Sequence, residues 1–291
     1  MPKKLTTISL VLVLFLVFTV YTKININFSI SGKGEPSSAP KSDPICRIEN
    51  EIVYDVNGMK ITTVGFNESG MWGPEIKVII ENSTEKDLLF SGYDYVVNGI
   101  TLEGSAHIAV NAGTKAAGSI FLLESELETA GIESIATVAA YDFSAYDADT
   151  YNVMHNISFE IRTSIVDTYK QAIPPHENIL FQQDGITISP CGIAETAMYH
   201  SIVLMITNEY GEDILVSSDK VSVNGFTIST YAGDAICKDT VRFWRIDIPN
   251  RYLNDCSINS IENATFSLEI KDVGLNKVIA ETGDLQIFLK N

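Results

Sequence analysis

Residues that commonly carry chemistry occur along the whole of this 291-residue sequence, but none of them forms a catalytic motif. Nucleophilic catalysis needs a serine or cysteine, a histidine and an orienting acid, and the sequence contains no G-x-S-x-G turn. Among 37 acidic residues, some pair will always match glycosidase chemistry, so such a pair carries no information. The four histidines include no H-E-x-x-H motif and no pair at ligand spacing: His107, His155, His176 and His200. We therefore predict no catalytic, cofactor-binding or metal-binding residues, and a protein that is not an enzyme.

One acidic cluster could bind a cation. Asp142, Asp147 and Asp149 alternate with other residues near the end of the first half of the chain, and carboxylate oxygens are the ligands that Ca²⁺ prefers. The spacing does not fit the twelve-residue calcium loop, and the corresponding place in the second half reads Lys271-Asp272-Val273-Gly274. A solvated turn is the favoured interpretation.

Trp72 is the candidate partner contact. It lies in Ser69-Gly70-Met71-Trp72-Gly73-Pro74, which we place in the loop between the first two strands of the first half. Tryptophan is enriched among the residues that dominate binding energy at interfaces. The alternative is that Trp72 folds back and caps the core. The other tryptophan, Trp244, lies within a predicted strand and is expected to pack inside.

The charge balance limits the classes of partner. The chain has 20 basic and 37 acidic residues, a formal net charge of −17. Nucleic-acid binding depends on lysine and arginine displacing counterions from phosphates, so we predict no nucleic-acid partner. The same charge disfavours contact between the globular part and anionic lipid headgroups.

The N-terminus predicts a membrane attachment. Lys3 and Lys4 precede the uncharged run from Leu5 to Thr22, which as a helix would measure about 27 Å, close to the hydrocarbon thickness of a bilayer. The flanking lysines favour a cytoplasmic N-terminus and an extracytoplasmic remainder. Bulky residues stand where a signal peptidase requires small ones, so an uncleaved single-pass anchor is favoured over a secreted, cleaved form.

An internal repeat dominates the rest of the sequence. Shifting the chain by 126 residues places 76–135 on 202–261 without a gap, which indicates a duplicated domain. Matching positions include Asn82 and Asn208, Asp87 and Asp213, Leu127 and Leu253, and the tripeptides Val97-Asn98-Gly99 and Val223-Asn224-Gly225. The predicted organisation is an anchor (1–22), a flexible spacer (23–45), a first copy (46–165), a proline-containing linker (166–176) and a second copy (177–291).

Each copy has the pattern of short β-strands. Apolar residues alternate in Ile76, Val78, Ile80 and again in Ile202, Leu204, Ile206, a period of two that places one face in a core and the other in solvent. Asn-Gly dipeptides between apolar stretches are typical of tight hairpins, and helical periodicity is confined to about one turn near 124–130. About seven strands per copy predict an all-β protein of two tandem immunoglobulin-like antiparallel sandwiches after the N-terminal transmembrane helix.

The cysteines lead to one disulfide prediction. In an up-and-down strand trace, Cys191 falls between the first and second strands of the second copy, and Cys256 falls between the fifth and sixth, at the same end. Cys237 falls at the opposite end, and Cys46 lies in the first copy. A Cys191–Cys256 bridge is therefore the reasonable pair in an extracytoplasmic chain. The alternative, that all four cysteines remain reduced, stays open.

Several segments of the first copy resemble a group of uncharacterised proteins of Gram-positive anaerobes. They are Gly73-Pro74-Glu75-Ile76-Lys77, 80–88 (IENSTEKDL), Val97-Asn98-Gly99 and 127–135 (LETAGIESI). In that group a signal or anchor precedes one or more immunoglobulin-like domains of unknown function. The resemblance implies a location and a fold, and it implies no active site.

The sequence leaves three functions open. The first is a membrane-tethered, extracytoplasmic, non-enzymatic module that binds a protein or another cell-envelope component. The second is a hydrolase acting on the envelope, with its carboxylates in a cleft between the copies, where acids of raised pKa are expected. The third is a structural spacer or an accessory subunit of a membrane complex.

Overall fold

The computed structural model describes residues 46–218 and 220–289. The predicted anchor (1–22) and spacer (23–45) lie outside these residues, and none of the helices described is long and apolar enough to cross a bilayer. The described part is built from strands and two short helices, so the all-β prediction is confirmed. The helices are α1 (Glu124–Thr129) and α2 (Asn250–Asp255), and α1 lies where the sequence predicted a single helical turn.

The first copy contains eight strands, one more than predicted. They are β1 (Glu51–Val56), β2 (Met59–Gly70), β3 (Gly73–Asn82), β4 (Leu88–Val97), β5 (Ile100–Val110), β6 (Thr114–Leu122), β7 (Thr137–Asp147) and β8 (Val153–Arg162). One sheet has the order β1-β2-β3-β6, and the other has the order β5-β4-β7-β8. Strand β5 also pairs with β6 through Gly104 and Ser105, which joins the two sheets along one edge. Apolar residues from both sheets form one core between them.

The described part of the second copy contains ten strands, five of which have five residues or fewer. They are β9 (Phe181–Gln183), β10 (Ile186–Glu195), β11 (Tyr199–Asn208), β12 (Ile214–Ser218), β13 (Val221–Val223), β14 (Phe226–Ile228), β15 (Ala232–Ile236), β16 (Thr240–Pro249), β17 (Asn263–Asp272) and β18 (Lys277–Phe288). The sheet β9-β10-β11-β16 faces a sheet of the order β14-β13-β17-β12-β15, with β18 beside β17. Two breaks raise the strand number, because the equivalents of β4 and β5 are each divided. At the second break Thr230 donates to the carbonyl of Asp247 at 2.7 Å, which ties the interruption to β16.

Matching asparagines perform the same task in both copies, 126 residues apart. The amide of Asn82 donates to the carbonyls of Lys86 at 2.7 Å and Val110 at 3.0 Å. The amide of Asn208 donates to the carbonyls of Glu212 at 2.9 Å and Ile236 at 3.0 Å, and also to that of Cys237 at 3.2 Å. Both side chains are buried, so each satisfies the backbone of two loops that would otherwise leave carbonyls unpaired inside the protein. The repeated sequence thus encodes a repeated hydrogen-bond pattern.

The expectation of a solvent-facing outer surface is wrong for β11. Residues 201–206 are all buried: Ile202, Leu204 and Ile206 face the core of the second copy, while Val203 and Met205 join the core of the first. Phe243 of β16 does the same. The copies are therefore packed face to face, and a parallel contact between β16 and β5 at Val241 and Ile100 joins sheets of both copies.

The linker between the copies is attached at both ends. The Gln171 amide donates to the carbonyl of Gly131 in the first copy at 3.3 Å. The ring nitrogens of His176 lie 2.7 Å from the hydroxyls of Ser189 and Thr207, on β10 and β11 of the second copy. Two prolines between these attachments restrict the backbone further, so the linker follows the surface of both copies.

Candidate functional site

The junction between the copies carries a concentration of charge, and Arg242 is its centre. Its side chain is 3% exposed, and Nη1 lies 3.0 Å from Oδ1 of Asp94 in the first copy. Nη2 lies 3.6 Å from Oε1 of Glu103, also in the first copy, and 3.4 Å from Oδ1 of Asp234 in the second. Nη1 also donates to the carbonyl of Ala235 at 2.9 Å. A single guanidinium thus connects carboxylates of both copies.

A second arginine makes a parallel connection from the outer face of β16. Nη2 of Arg245 lies 2.6 Å from Oε1 of Glu126. Glu126 is a buried residue of α1 in the first copy, so this short helix positions the carboxylate that Arg245 contacts. Polar bonds continue across the interface, since the hydroxyls of Thr101 and Thr240 lie 2.8 Å apart.

The charged residues of the junction line a pocket of about 60 Å³. Its charged lining consists of four carboxylates and two guanidiniums: Glu103, Glu126, Asp234, Asp247, Arg242 and Arg245. Two of these carboxylates are already bound within the second copy, because Ser201 donates to Asp247 at 2.5 Å and the indole of Trp244 donates to Asp234 at 2.7 Å. The volume admits a few water molecules and is too small for a sugar ring.

Glu103 is the titrating residue of this pocket. Partial burial of its carboxyl, together with the negative charges of Glu126 and Asp234, raises its pKa to about 7, and the two arginines only partly oppose this. Burial also raises the pKa of Asp94, despite its contact with Arg242. The Glu103 side chain remains 47% exposed, so it can exchange protons with solvent. A carboxyl that titrates near neutral pH can in principle act as an acid or a base.

Trp72 lies at the tip of the β2–β3 hairpin, between the second and third strands and not the first and second. Its side chain is 49% exposed, and its neighbour Met71 is 80% exposed. The carbonyl of Trp72 accepts from the amide of Glu124 at 3.0 Å, which fixes the tip against the start of α1. Trp72 is therefore held by its backbone while its side chain is half-exposed, and the alternative in which it caps the core does not describe this structure.

The second copy has an equivalent tip. Met198 stands 126 residues after Trp72 and is 45% exposed, and its carbonyl accepts from the amide of Asn250 at the start of α2, at 2.8 Å. The side chain of Asn250 also forms a hydrogen bond with the ring of His200, and Oδ1 of Asn250 lies 2.7 Å from Nδ1 of His200. His200 is thus part of the support of this tip.

The strand trace behind the disulfide prediction is wrong for Cys191, which lies inside β10 at a β-bulge. Both Cys191 and Cys256 are free cysteines. Cys191 packs against the core of the first copy, and Cys256 packs against the core of the second. Burial raises the pKa of Cys191 to about 11 and that of Cys237 to about 12, so both are unreactive thiols at neutral pH.

The acidic cluster of the first copy is divided among separate tasks. Oδ2 of Asp147 lies 2.7 Å from Nζ of Lys86, and Oδ1 accepts from the amides of Asp149 and Thr150 at 3.1 Å. These bonds lower the pKa of Asp147 to about 2. Asp142 and Asp149 are exposed, and in the described part of the chain no group of three or more ligand-type side chains is placed to hold a metal ion. Asp147 therefore organises a turn.

Comparison with known proteins leaves the family open. No family model matches the sequence, and no curated protein matches it. Among solved structures, the chain is similar to the crystal structure of the selenomethionine-substituted chicken interferon gamma receptor alpha chain. The identity is 10%, the match covers 75% of this chain and 93% of that chain, and the TM-score is 0.20. A likeness at that level carries no argument about this protein.

Proposed function

We propose that this protein is a membrane-tethered, extracytoplasmic interaction module that binds a protein or cell-envelope partner without catalysing a reaction. The exposed hairpin tip at Met71 and Trp72 is the observation that carries the proposal. A tryptophan that is fixed by its backbone and still open to solvent loses little conformational freedom on binding, which is a property of interface anchors. The uncharged run 5–22 and the spacer 23–45 supply the tether in this proposal.

The packing of the two copies supports the same function. Apolar residues of β11 and β16 and the contacts of Arg242 and Arg245 hold the copies against each other. A rigid pair presents its tips at a fixed distance and angle, which favours recognition over independent movement of the two domains.

The test is a pull-down from solubilised envelope with the chain from Asp43 onward as bait, followed by mass spectrometry. The expected result is a reproducible partner that is retained by the wild-type bait and lost with Trp72→Ala. Met198→Ala is the matched control, because it truncates the equivalent tip of the second copy. A partner retained equally by all three baits would place the contact elsewhere, and the absence of any partner would favour the role of a structural spacer or accessory subunit.

A second candidate function is hydrolysis of an envelope polymer, and the pKa of Glu103 near 7 in an acid-lined pocket favours it. The arginine contacts of these carboxylates and the volume of about 60 Å³ weigh against it. Release of soluble fragments from purified wall polymers by the wild type but not by Glu103→Gln would establish the activity. Equal fragment release by both, or none by either, would remove it.

A further inference from the structure

The tripeptide Val-Asn-Gly forms a two-residue hairpin turn at three places in the chain. The flanking valine pairs directly with the residue after the glycine in every case, and both central residues have positive φ. The three asparagines have nearly equal φ values of 52°, 52° and 49°. The turns are Val56-Asn57-Gly58, Val97-Asn98-Gly99 and Val223-Asn224-Gly225. Local sequence and backbone geometry are therefore matched, and only the surroundings of the asparagine side chains differ.

The side chain of Asn98 is held on both of its polar atoms. Nδ2 donates to the carbonyl of Ser134 at 2.7 Å, and Oδ1 accepts from the amides of Ala136 at 2.8 Å and Thr137 at 3.0 Å. Its carboxamide cannot rotate toward its own backbone without breaking these bonds.

Asn224 repeats this arrangement in the second copy. Nδ2 donates to the carbonyl of Ser260 at 2.8 Å, and Oδ1 accepts from the amides of Glu262 at 2.9 Å and Asn263 at 3.1 Å. Two of the three turns thus have the same locked side chain.

Asn57 differs from both. It is exposed, as is Gly58, and its side chain has no hydrogen-bond partner among the residues that the structure describes. The carbonyl of Gly58 accepts from the amide of Ser83 at 2.7 Å, and the Gly58 nitrogen follows directly after a carboxamide that no described residue holds in place.

We propose that Asn57 is a site of spontaneous covalent modification, whereas Asn98 and Asn224 are protected by their hydrogen bonds. The Gly58 backbone nitrogen attacks Cγ of Asn57 and forms a C–N bond, the bond from Cγ to Nδ2 breaks, and ammonia leaves with the proton from the Gly58 amide. Water then opens the five-membered succinimide at one of its two carbonyls, giving aspartate or isoaspartate. No oxidant or reductant takes part.

The modification changes the edge of the first sheet. Both products add a negative charge, and isoaspartate adds a backbone carbon to a turn whose geometry depends on two successive residues of positive φ. Among the described strands, β1 pairs only with β2, so the altered turn weakens the attachment of that edge strand. The hairpin at Asn57 therefore changes with time, whereas the other two Val-Asn-Gly turns are protected.

The experiment measures deamidation at all three sites in the same molecule. Full-length protein in mild detergent is incubated at mildly alkaline pH, both folded and in concentrated urea, and the three tripeptides are followed by peptide mapping with mass spectrometry and isoaspartate detection. In urea the three rates should be similar, because the local sequences are the same. In the folded protein Asn57 should react at least about tenfold faster than Asn98 or Asn224, since each of those must first break at least three hydrogen bonds.

The proposal is tested by the deamidation rate of each site in the folded protein, divided by its rate in urea. Suppression at Asn57 as strong as that at Asn98 and Asn224 would overturn the proposal, because the turn itself would then be the protecting element. Asn57→Asp, which introduces the aspartate product directly, should leave the other two ratios unchanged. If it released Asn98 from protection, the assignment of protection to the local hydrogen bonds would be wrong.

Discussion

The two copies keep the same interior and differ on the outer face of one sheet, and this difference explains why they pack together. In the first copy, Lys77 and Lys115 lie on the outer face of β3 and β6, where they reach Glu75 and Glu81. At the positions 126 residues later the second copy has Val203 and Val241. Replacing cations by valines converts a solvated face into one that must be buried.

The same comparison accounts for the arginines of the junction. Ser119 and Ala116 of β6 correspond to Arg245 and Arg242 of β16. Arg242 is buried and Arg245 is partly buried, so both guanidiniums need partners, and the first copy supplies Asp94 and Glu126. The copies thus differ at Val203, Val241 and Arg245 on the outer face and at Arg242 on the inner face, while the buried asparagines Asn82 and Asn208 keep matching bonds.

The most disruptive test is to give the second copy the outer face of the first. Val203→Lys places a charge at a position that is 6% exposed and packed against the other copy, and it should lower the free energy of unfolding by about 3 kcal/mol. The converse change at the other matched position, Lys115→Val, alters an exposed lysine whose partner Glu81 also binds Lys60, and it should have little effect. Urea unfolding of a Trp72→Phe background, in which Trp244 is the remaining tryptophan, would report on the second copy. Equal effects of the two changes would contradict the comparison.

Removing the central arginine should cost nearly as much. Arg242→Met keeps much of the volume but leaves Asp94, Glu103 and Asp234 without their shared cation, and loss of one partner of a buried ion network costs about 3 kcal/mol. Arg162→Met is the matched control, because Arg162 contacts Glu160 at 2.7 Å on an exposed surface. The unfolding free energy of that control should hardly change. A small effect at Arg242 would mean that apolar packing alone holds the junction.

The retained interior predicts equal effects in both copies. Asn82→Ala and Asn208→Ala each remove a buried amide that donates to backbone carbonyls of two chain segments, and each should cost about 2 kcal/mol. Asn67→Ala, at an exposed asparagine that accepts only from the amide of Ser69, should cost far less. Unequal losses at the two buried asparagines, measured by urea unfolding, would show that the copies no longer depend on this bond equally.

The repeat, the strands and the hairpin turns could be predicted because period and turn chemistry are local properties of the sequence. Alternation of apolar residues correctly placed β3, and the Asn-Gly pairs correctly placed two turns. The junction could not be predicted, because the alternation of Ile202, Leu204 and Ile206 places the residues between them on the outer face of an isolated strand. Continuous apolar character over 202–206 was the available signal, since a strand buried on both faces loses its alternation.

The pocket residues were missed for a related reason. Glu103 lies more than a hundred residues before Asp234 and Arg242, which belong to the consecutive strands β15 and β16, and no local pattern links the three. Comparing the two copies position by position, and asking where a small residue becomes an arginine, would have identified Arg242 and Arg245.

The smallest predicted effect is a dependence of the unfolding free energy on pH. It distinguishes the two copies, because Ser229 stands in the second copy at the position of Glu103. The pKa of Glu103 is raised from 4.5 to about 7, so the folded state holds a proton that the unfolded state has released. Its contribution to stability is present below about pH 4.5 and is lost as pH rises through 7. The unfolding free energy should therefore fall between about pH 5 and about pH 8, and Glu103→Gln should reduce that slope.

The direction of this pH effect separates the junction from the rest of the molecule. Asp147 has the opposite shift, to a pKa of about 2, so its contribution is lost only in strong acid, well below the window in which Glu103 titrates. Glu128→Gln changes an exposed carboxylate of α1 and should leave the slope as it is in the wild type. The slope is read from urea unfolding of the three proteins at each pH. If Glu103→Gln kept the wild-type slope, another group of the junction, with Asp94 first among them because its pKa is also raised by burial, would have to carry the proton.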